Sequence, residues 1–419
     1  MVVSEVVGVG IFLAPAEMVR TLGSAWWALA VWLVMGVASA LGAICYAELS
    51  TRLPRAGGAY VFLREAFGAR VAFVYGWMSL LVVDPGLTAA LGIGFAQYLT
   101  AATDGPRTLV PLLAVVSIVA FGLLTAAGMA ASARILRWSA LAKLAAVGVL
   151  VAVAVARAGA GQPGAPPSGV APSALAGAVV AAFFAFGGWW DLGKMSEEVR
   201  DPRRTLPAAL VGGVGLVTLI YALVTLAIML GPRVAADTDE ALVTAVGAAL
   251  FGEAAGRLLA VIVVVAVAGS LSAVLLGAPR VYLAMARDGV FPQSLARLEG
   301  TRGALPRATL VQVALACALA MFGTFDQVLG FFVPAAVFFL GLSASAVLVL
   351  PRPAGEAPVF RAPGHPWPIA LFLLLIAAIV VLFAVGQPWQ TLLGAVIVLA
   401  GVPVSWYVLP EARPAGPAC

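Results

Sequence analysis

The stretch LLAVIVVVAVAGSLSAVLL, from Leu258 to Leu276, runs for nineteen residues without a charge. As an α-helix rising about 1.5 Å per residue it covers roughly 30 Å, the thickness of a bilayer's hydrocarbon core. A second run, Ile369 to Val385, has the same character. Strands of a membrane barrel alternate polar and apolar residues at every second position, and neither run does so. In hydrocarbon each backbone N–H and C=O must find a partner inside the protein, which leaves bundled helices.

Such runs recur along the whole chain. Of its 419 residues 63% are apolar and only 10% charged, a balance that no soluble core absorbs. Apolar runs between charged or Gly/Pro-rich punctuation give about twelve spans. They are expected at 3–22, 26–52, 71–100, 109–131, 133–156, 173–195, 206–231, 255–287, 308–327, 329–350, 367–385 and 389–409. The Gly-, Pro- and Ala-rich stretch between Arg157 and Pro172 reads as a loop.

Orientation follows from the cations, because Lys and Arg concentrate in cytoplasmic connections. With the N-terminus inside, those connections hold eighteen cations, among them Arg52, Arg55, Arg64, Lys194, Arg280 and Arg287. The external connections hold five, namely Arg20, Arg107, Arg157, Arg233 and Arg257. Both termini are therefore expected in the cytoplasm, with the chain in the cell membrane. The net charge of +5 is explained by basic loops facing anionic lipid headgroups, without a nucleic-acid partner. No basic leader precedes the first apolar segment, so no cleavable signal peptide is expected. Met1 stands only seven residues before Gly8, which leads us to expect a further N-terminal segment.

Cys45, Cys317 and Cys419 show neither metal-ligand nor paired spacing, so no zinc site and no structural disulfide are expected. The single histidine, His365, lies in a Pro-rich connection and offers nothing to His-based catalysis. No cofactor is expected.

Two segments are poor helices at mid-membrane depth: Gly8-Val9-Gly10-Ile11-Phe12 in the first span, and Phe184-Ala185-Phe186-Gly187-Gly188-Trp189-Trp190-Asp191 in the sixth. Glycine costs roughly 1 kcal/mol relative to alanine in a helix, and unwound backbone is tolerated in a membrane only beside a protein-lined cavity. Glycines also serve close helix packing, but two matched breaks five spans apart fit a transporter built from two inverted five-helix repeats. Half-helix N-termini offer free N–H groups to a carboxylate, and freed carbonyls accept an ammonium. An amino acid uses both. The repeats are expected over 1–156 and 173–350, with two additional C-terminal helices over 367–409.

Ionisable residues inside a membrane are candidates for function, and four stand out: Lys143, Asp84, Glu5 and Asp191. Lys143 is either a proton-exchanging group or a fixed ammonium that braces the first span against the fifth in place of sodium. Asp191 either binds a substrate ammonium or caps the half-helix after the break. Asp84, before Pro85, either answers backbone groups freed by a kink or lines the permeation path. The pair also raises an intramembrane aspartyl protease. Asp191 lacks the Gly-x-Gly-Asp setting of that chemistry, however, and no sequence feature brings Asp84 near it.

These residues resemble the amino acid-polyamine-organocation transporters, and within them the L-type amino acid transporter-like branch. Gly8-Val9-Gly10-Ile11-Phe12 is similar to that family's unwound Gly-x-Gly-Ile-Phe segment, and Pro54-Arg55-Ala56-Gly57-Gly58-Ala59-Tyr60 to its connection after helix two. Phe184 to Trp189, Glu197-Glu198-Val199-Arg200-Asp201-Pro202 and Leu206-Pro207 resemble its sixth helix and exit; Gly269-Ser270-Leu271, Arg280 and Ala286-Arg287-Asp288-Gly289 resemble helix eight.

The resemblance implies an all-α LeuT-type fold with two extra helices, moving amino acids by alternating access, with no enzymatic chemistry. It implies carboxylate binding by Gly8, Val9, Gly10 and Ile11, an aromatic gate at Phe184, and ammonium-binding backbone at Gly187. Phe186, Gly188, Trp189 and Asp191 complete the expected substrate site. Lys143 matches a lysine that replaces a sodium site in sodium-independent relatives, so proton symport or exchange is expected, with Lys143, Glu5 and Asp84 as coupling residues. Trp190 and Asp191 stand where smaller neutral polar residues are expected, and Asp84 where relatives often carry a basic one. L-type carriers of animals pair with a glycoprotein through an external cysteine; no cysteine falls in an expected external loop, so no disulfide-linked subunit is expected. The competing readings are a non-transporting amino-acid sensor on the same fold and a transporter of polyamines or other organic amines.

Overall fold

The computed structural model describes residues 6, 10–127, 135, 138–143, 145, 148, 169–230, 252–297, 305–351 and 360–409. Every regular element among them is helical. The first helices, Gly10–Leu22 (α1) and Ala25–Arg52 (α2), meet at Gly23, whose φ of +66° suits glycine,. The Trp26 N–H then donates to the Ser24 hydroxyl at 3.2 Å and caps α2,. Ala59–Phe67 (α3) follows, then Ala69–Met78 (α4), a π-turn at Ser79–Val83, and Asp84–Thr103 (α5). These last three pieces make one continuous span of 35 residues.

Val110–Ala127 (α6) and Pro172–Phe186 (α7) come next, the latter continued past a break by a tight 3₁₀ segment, Trp189–Glu198. Pro202–Leu230 (α8), Glu253–Gly277 (α9), Pro279–Arg287 (α10), Pro306–Phe322 (α11), Phe325–Val349 (α12), Trp367–Gly386 (α13) and Pro388–Val408 (α14) complete the bundle. Among the described residues nine helical segments are long and apolar enough to cross a membrane, and α11 is a shorter apolar helix. The fifth expected span, 133–156, lies largely outside the described residues. Large apolar side chains such as Leu374, Trp389, Leu399 and Tyr407 stand exposed on α13 and α14, where a soluble surface would carry charge.

Two boundaries differ from the sequence reading. The residues after Pro54 are more than a connection: α3 forms there and buries Ala59 to Leu63. Spans nine and ten part at Gly323-Thr324 rather than at residue 328. The Gln327 N–H donates to the Thr324 hydroxyl at 3.4 Å, and the Gln327 side chain accepts from the Thr324 N–H at 3.0 Å. That capping box starts α12,.

Small residues set the helix spacing. α2 packs along α8 and α1 along α7. Gly42 of α2 faces two aromatic rings: a Cβ there would lie 2.8 Å from Trp189 and 2.9 Å from Phe372. Gly212, exposed on α8, has nothing within 4 Å of the position a Cβ would take. Gly42→Ala is therefore expected to destabilise by about 1–3 kcal/mol through overpacking. Gly212→Ala is expected to be neutral or to stabilise by up to about 1 kcal/mol. Thermal unfolding in detergent measures both.

Candidate substrate site and its buried charges

α7 stops where its glycines stand. Gly187 is extended (φ −59°, ψ 151°) and Gly188 is left-handed (φ 105°), a conformation that favours glycine, before the chain winds up again at Trp189,. The Gly187 N–H donates back to the Phe184 carbonyl, and the Asp191 N–H to the Gly188 carbonyl, each at 3.0 Å. Beside this break the Tyr221 hydroxyl of α8 lies 2.6 Å from the Ala185 carbonyl. The same hydroxyl lies 2.9 Å from the carbonyl of Val6, four residues ahead of Gly10, where α1 begins. One phenol thus joins the first span to the sixth. Gly10 closes the contact: a Cβ there would lie 2.6 Å from the Ala185 Cα.

Around the break the side chains divide into two sets. Phe186 is buried among Trp32 and Tyr221, with ring centroids 5.9 and 4.9 Å away. Trp189 packs edge-on against Tyr46 at 5.2 Å, and Ile11 is fully buried. Phe184 meets Phe325 and Phe332 of α12 edge-on at 5.3 and 6.3 Å. Among Phe183 to Lys194, Gly187 and Trp190 are partly exposed and the others buried. They mark the side on which the break opens, and Trp190 stacks there on Phe183 at 5.5 Å. Gly8, Val9 and Glu5 lie outside the described residues.

Lys143 is completely buried, and its Nζ donates to the Ser270 hydroxyl of α9 at 2.8 Å. The bond ties the fifth span to α9. Next to it Gly269 leaves no room for a side chain, because a Cβ would overlap Ser139.

Asp84 and Asp191 gather around a residue that sequence reasoning placed in a cytoplasmic loop. Lys194 is 3% exposed, and its Nζ stands 3.0 Å from Asp84 Oδ1 and 2.9 Å from Asp191 Oδ1. Asp84 Oδ2 also accepts from the hydroxyls of Ser79, at 2.5 Å, and Tyr282 of α10, at 2.9 Å. The cluster brings together two residues that no sequence feature connects. Asp84 and Asp191 do meet, through an ammonium rather than a shared proton, and Asp84 spends its carboxylate on side chains rather than on kinked backbone. Lys194 and Asp191 are three residues apart in a tight helical segment, so their spacing was the available signal. Ser79, Tyr282 and Tyr221 carried none, being single hydroxyls in apolar spans.

Beyond the cluster a band of ion pairs ties three elements together. Arg64 of α3 pairs with Asp288 at 2.5 Å, Arg287 of α10 with Glu197 at 3.0 Å, and Arg280 with Glu198 at 3.0 Å. The Ala56 N–H donates to Glu197 at 3.2 Å, and the Gly57 N–H to the Lys194 carbonyl at 3.1 Å. Removing one partner from a buried ion cluster leaves uncompensated charge. Lys194→Met, which strands two carboxylates, is expected to destabilise by about 3–5 kcal/mol. Thermal unfolding in detergent, with Lys194→Arg as the conservative comparison, reads the effect.

Comparison with known proteins gives this geometry its family. The cystine/glutamate transporter of Homo sapiens is 27% identical over 440 residues, covering 99% of this chain and 84% of the relative. The serine/threonine exchanger SteT of Bacillus subtilis (strain 168) is 24% identical over 414 residues, covering 96% and 93%. The large neutral amino acids transporter small subunit 2 of Rattus norvegicus is 28% identical over 433 residues, covering 96% and 78%. The family described as amino acid permease matches residues 1–404, nearly the whole length, so the chain belongs to the amino acid permease family of multi-pass membrane transporters.

Proposed function

We propose that this permease exchanges amino acids across the cell membrane without sodium, by alternating access around the two breaks. The observation that carries the reading is the Tyr221 hydroxyl set between the carbonyls of Val6 and Ala185. It joins the first span to the end of α7, and we take these as matching positions of repeats drawn over 1–156 and 173–350, with 367–409 as the added pair. The substrate carboxylate sits on the N–H groups where α1 begins, from Gly8 to Ile11, where the helix dipole favours an anion. The ammonium sits on backbone carbonyls at Phe184–Gly187, with Phe184 as the aromatic gate. Trp190 walls the open side.

Sodium independence is supported by Lys143, whose buried ammonium on Ser270 supplies a fixed positive charge between the fifth span and α9. Exchange is supported by the relative named a serine/threonine exchanger. Proton symport is the second reading, favoured by the complete burial of Lys143,. The face carrying α3, Arg55, Arg64 and Arg287 is the cytoplasmic one, because exposed cations gather there,. We assign both termini to that side.

Uptake of radiolabelled neutral, cationic and anionic amino acids into proteoliposomes tests the proposal. Uptake is expected to require unlabelled amino acid inside and to be unchanged when sodium is replaced by choline. Uptake that depends on sodium, or binding without any crossing, overturns it. Uptake into empty vesicles driven by a pH gradient selects symport over exchange. A Cβ on Gly187 would already lie 3.0 Å from the Phe184 carbonyl, so Gly187→Val is expected to lower uptake more than about tenfold, about 1.4 kcal/mol. A wild-type rate in that variant counts against the site. Lys143→Ala is expected to slow transport or to change its pH dependence, and an unaltered rate and pH profile would remove Lys143 from the coupling.

A further inference from the structure

Three groups share the buried cluster below the break, and their charges do not balance. Asp84 is 1% exposed, Asp191 0% and Lys194 3%, so one ammonium faces two carboxylates out of water. Asp84 is saturated: Lys194 holds one oxygen, and the hydroxyls of Ser79 and Tyr282 hold the other. Asp191 is not. Its Oδ1 pairs with Lys194 Nζ at 2.9 Å, and its Oδ2 has no donor among the described residues. A buried carboxylate in that condition is costly unless a cation or a donor completes it.

Position decides which cation. Asp191 stands three residues beyond Gly188, to whose carbonyl its N–H donates. Along a 3₁₀ segment that is about 6 Å from the break. A side chain of three or four methylenes, starting from an α-carbon held at the break, is long enough to cover that distance. Lys194 approaches the same carboxylate and leaves Oδ2 open.

We propose that Asp191 is the side-chain subsite of this transporter and takes the terminal ammonium or guanidinium of a cationic amino acid. The inference rests on the reading that the α-carboxylate and α-ammonium bind at the two breaks. It specifies more than that reading does. The bound cation brings the cluster to two positive and two negative charges. A neutral side chain of equal length leaves the excess carboxylate as it was, and an acidic side chain adds a third anion to a site holding one lysine. The selectivity is thus opposite in sign to the substrate named for the cystine/glutamate relative.

The test is competition for uptake by the full chain in proteoliposomes, using L-lysine, L-arginine, L-norleucine and L-glutamate. Norleucine keeps the lysine chain and lacks its ammonium. Lysine and arginine are expected to compete at least tenfold better than norleucine, and glutamate to compete least. In Asp191→Asn the lysine-to-norleucine ratio is expected to fall at least tenfold. A wild-type ratio near one overturns the inference without recourse to any variant, as does an Asp191→Asn protein that keeps the preference. Norleucine uptake that needs sodium, or that follows a pH gradient in the wild type but not in Asp191→Asn, assigns the excess charge to sodium or to a proton and also overturns it. If norleucine crosses and lysine does not compete, the subsite fails while amino acid transport stands. If no amino acid crosses, the proposed function itself fails.

Discussion

The Tyr221 hydroxyl holds one proton and stands within hydrogen-bonding reach of two carbonyls, those of Ala185 and Val6. The Ala185 carbonyl lies in the last turn of α7, where a membrane helix stops, and hydrocarbon offers no water to satisfy a stopped helix,. The break at Gly187-Gly188 is tolerated because a neighbouring span answers it from the side. That requirement turns Tyr221 of α8 toward α7 and the first span, places Trp32 and Phe186 around the phenol at 5.1 and 4.9 Å, and sets Gly10 against Ala185. The site is irregular backbone inside a regular bundle, held by one side chain.

Much of the bundle was legible from the run of apolar residues alone. The expected spans at 26–52, 367–385 and 389–409 appear as Ala25–Arg52, Trp367–Gly386 and Pro388–Val408, because a charge, a proline or a glycine marks each end. The break at Gly187-Gly188 was legible too, since paired glycines weaken a helix wherever they stand. α3 was not: its apolar stripe is short and its flanks are charged, so composition alone reads it as a connection. Lys194 was misplaced for a related reason. Counting cations between spans treats every one as solvated, whereas Lys194 turns back toward carboxylates 110 residues earlier and three residues earlier in the chain. Nothing local announces a partner so distant.

Charge is distributed in this molecule by what surrounds it. At the face of α3 and α10 the pairs Arg55–Glu65 and Arg287–Glu197 are about half exposed, and such pairs contribute little to stability. They position segments rather than hold them. Inward from there the Asp84–Lys194–Asp191 cluster is dry, and each of its charges depends on the others. Arg280 lies between these regimes, buried itself but paired with a half-exposed Glu198. α10 and the 3₁₀ segment are thus tied loosely where they are exposed and tightly where they are buried.

The π-turn at Ser79–Val83 has a geometric consequence for all of this. A π-turn inserts one extra residue into an α-helix, and each residue of a helix advances the facing direction by about 100°. α5 therefore leaves the turn rotated by about a quarter-circle relative to the phase set by α4. The turn acts as a phase shifter. Without it, the lipid-facing stripe of the first half would continue in register into the second, and Asp84 would point elsewhere. The single surplus residue lets one span be packed for its neighbours at one end and aim a carboxylate at Lys194 in the middle.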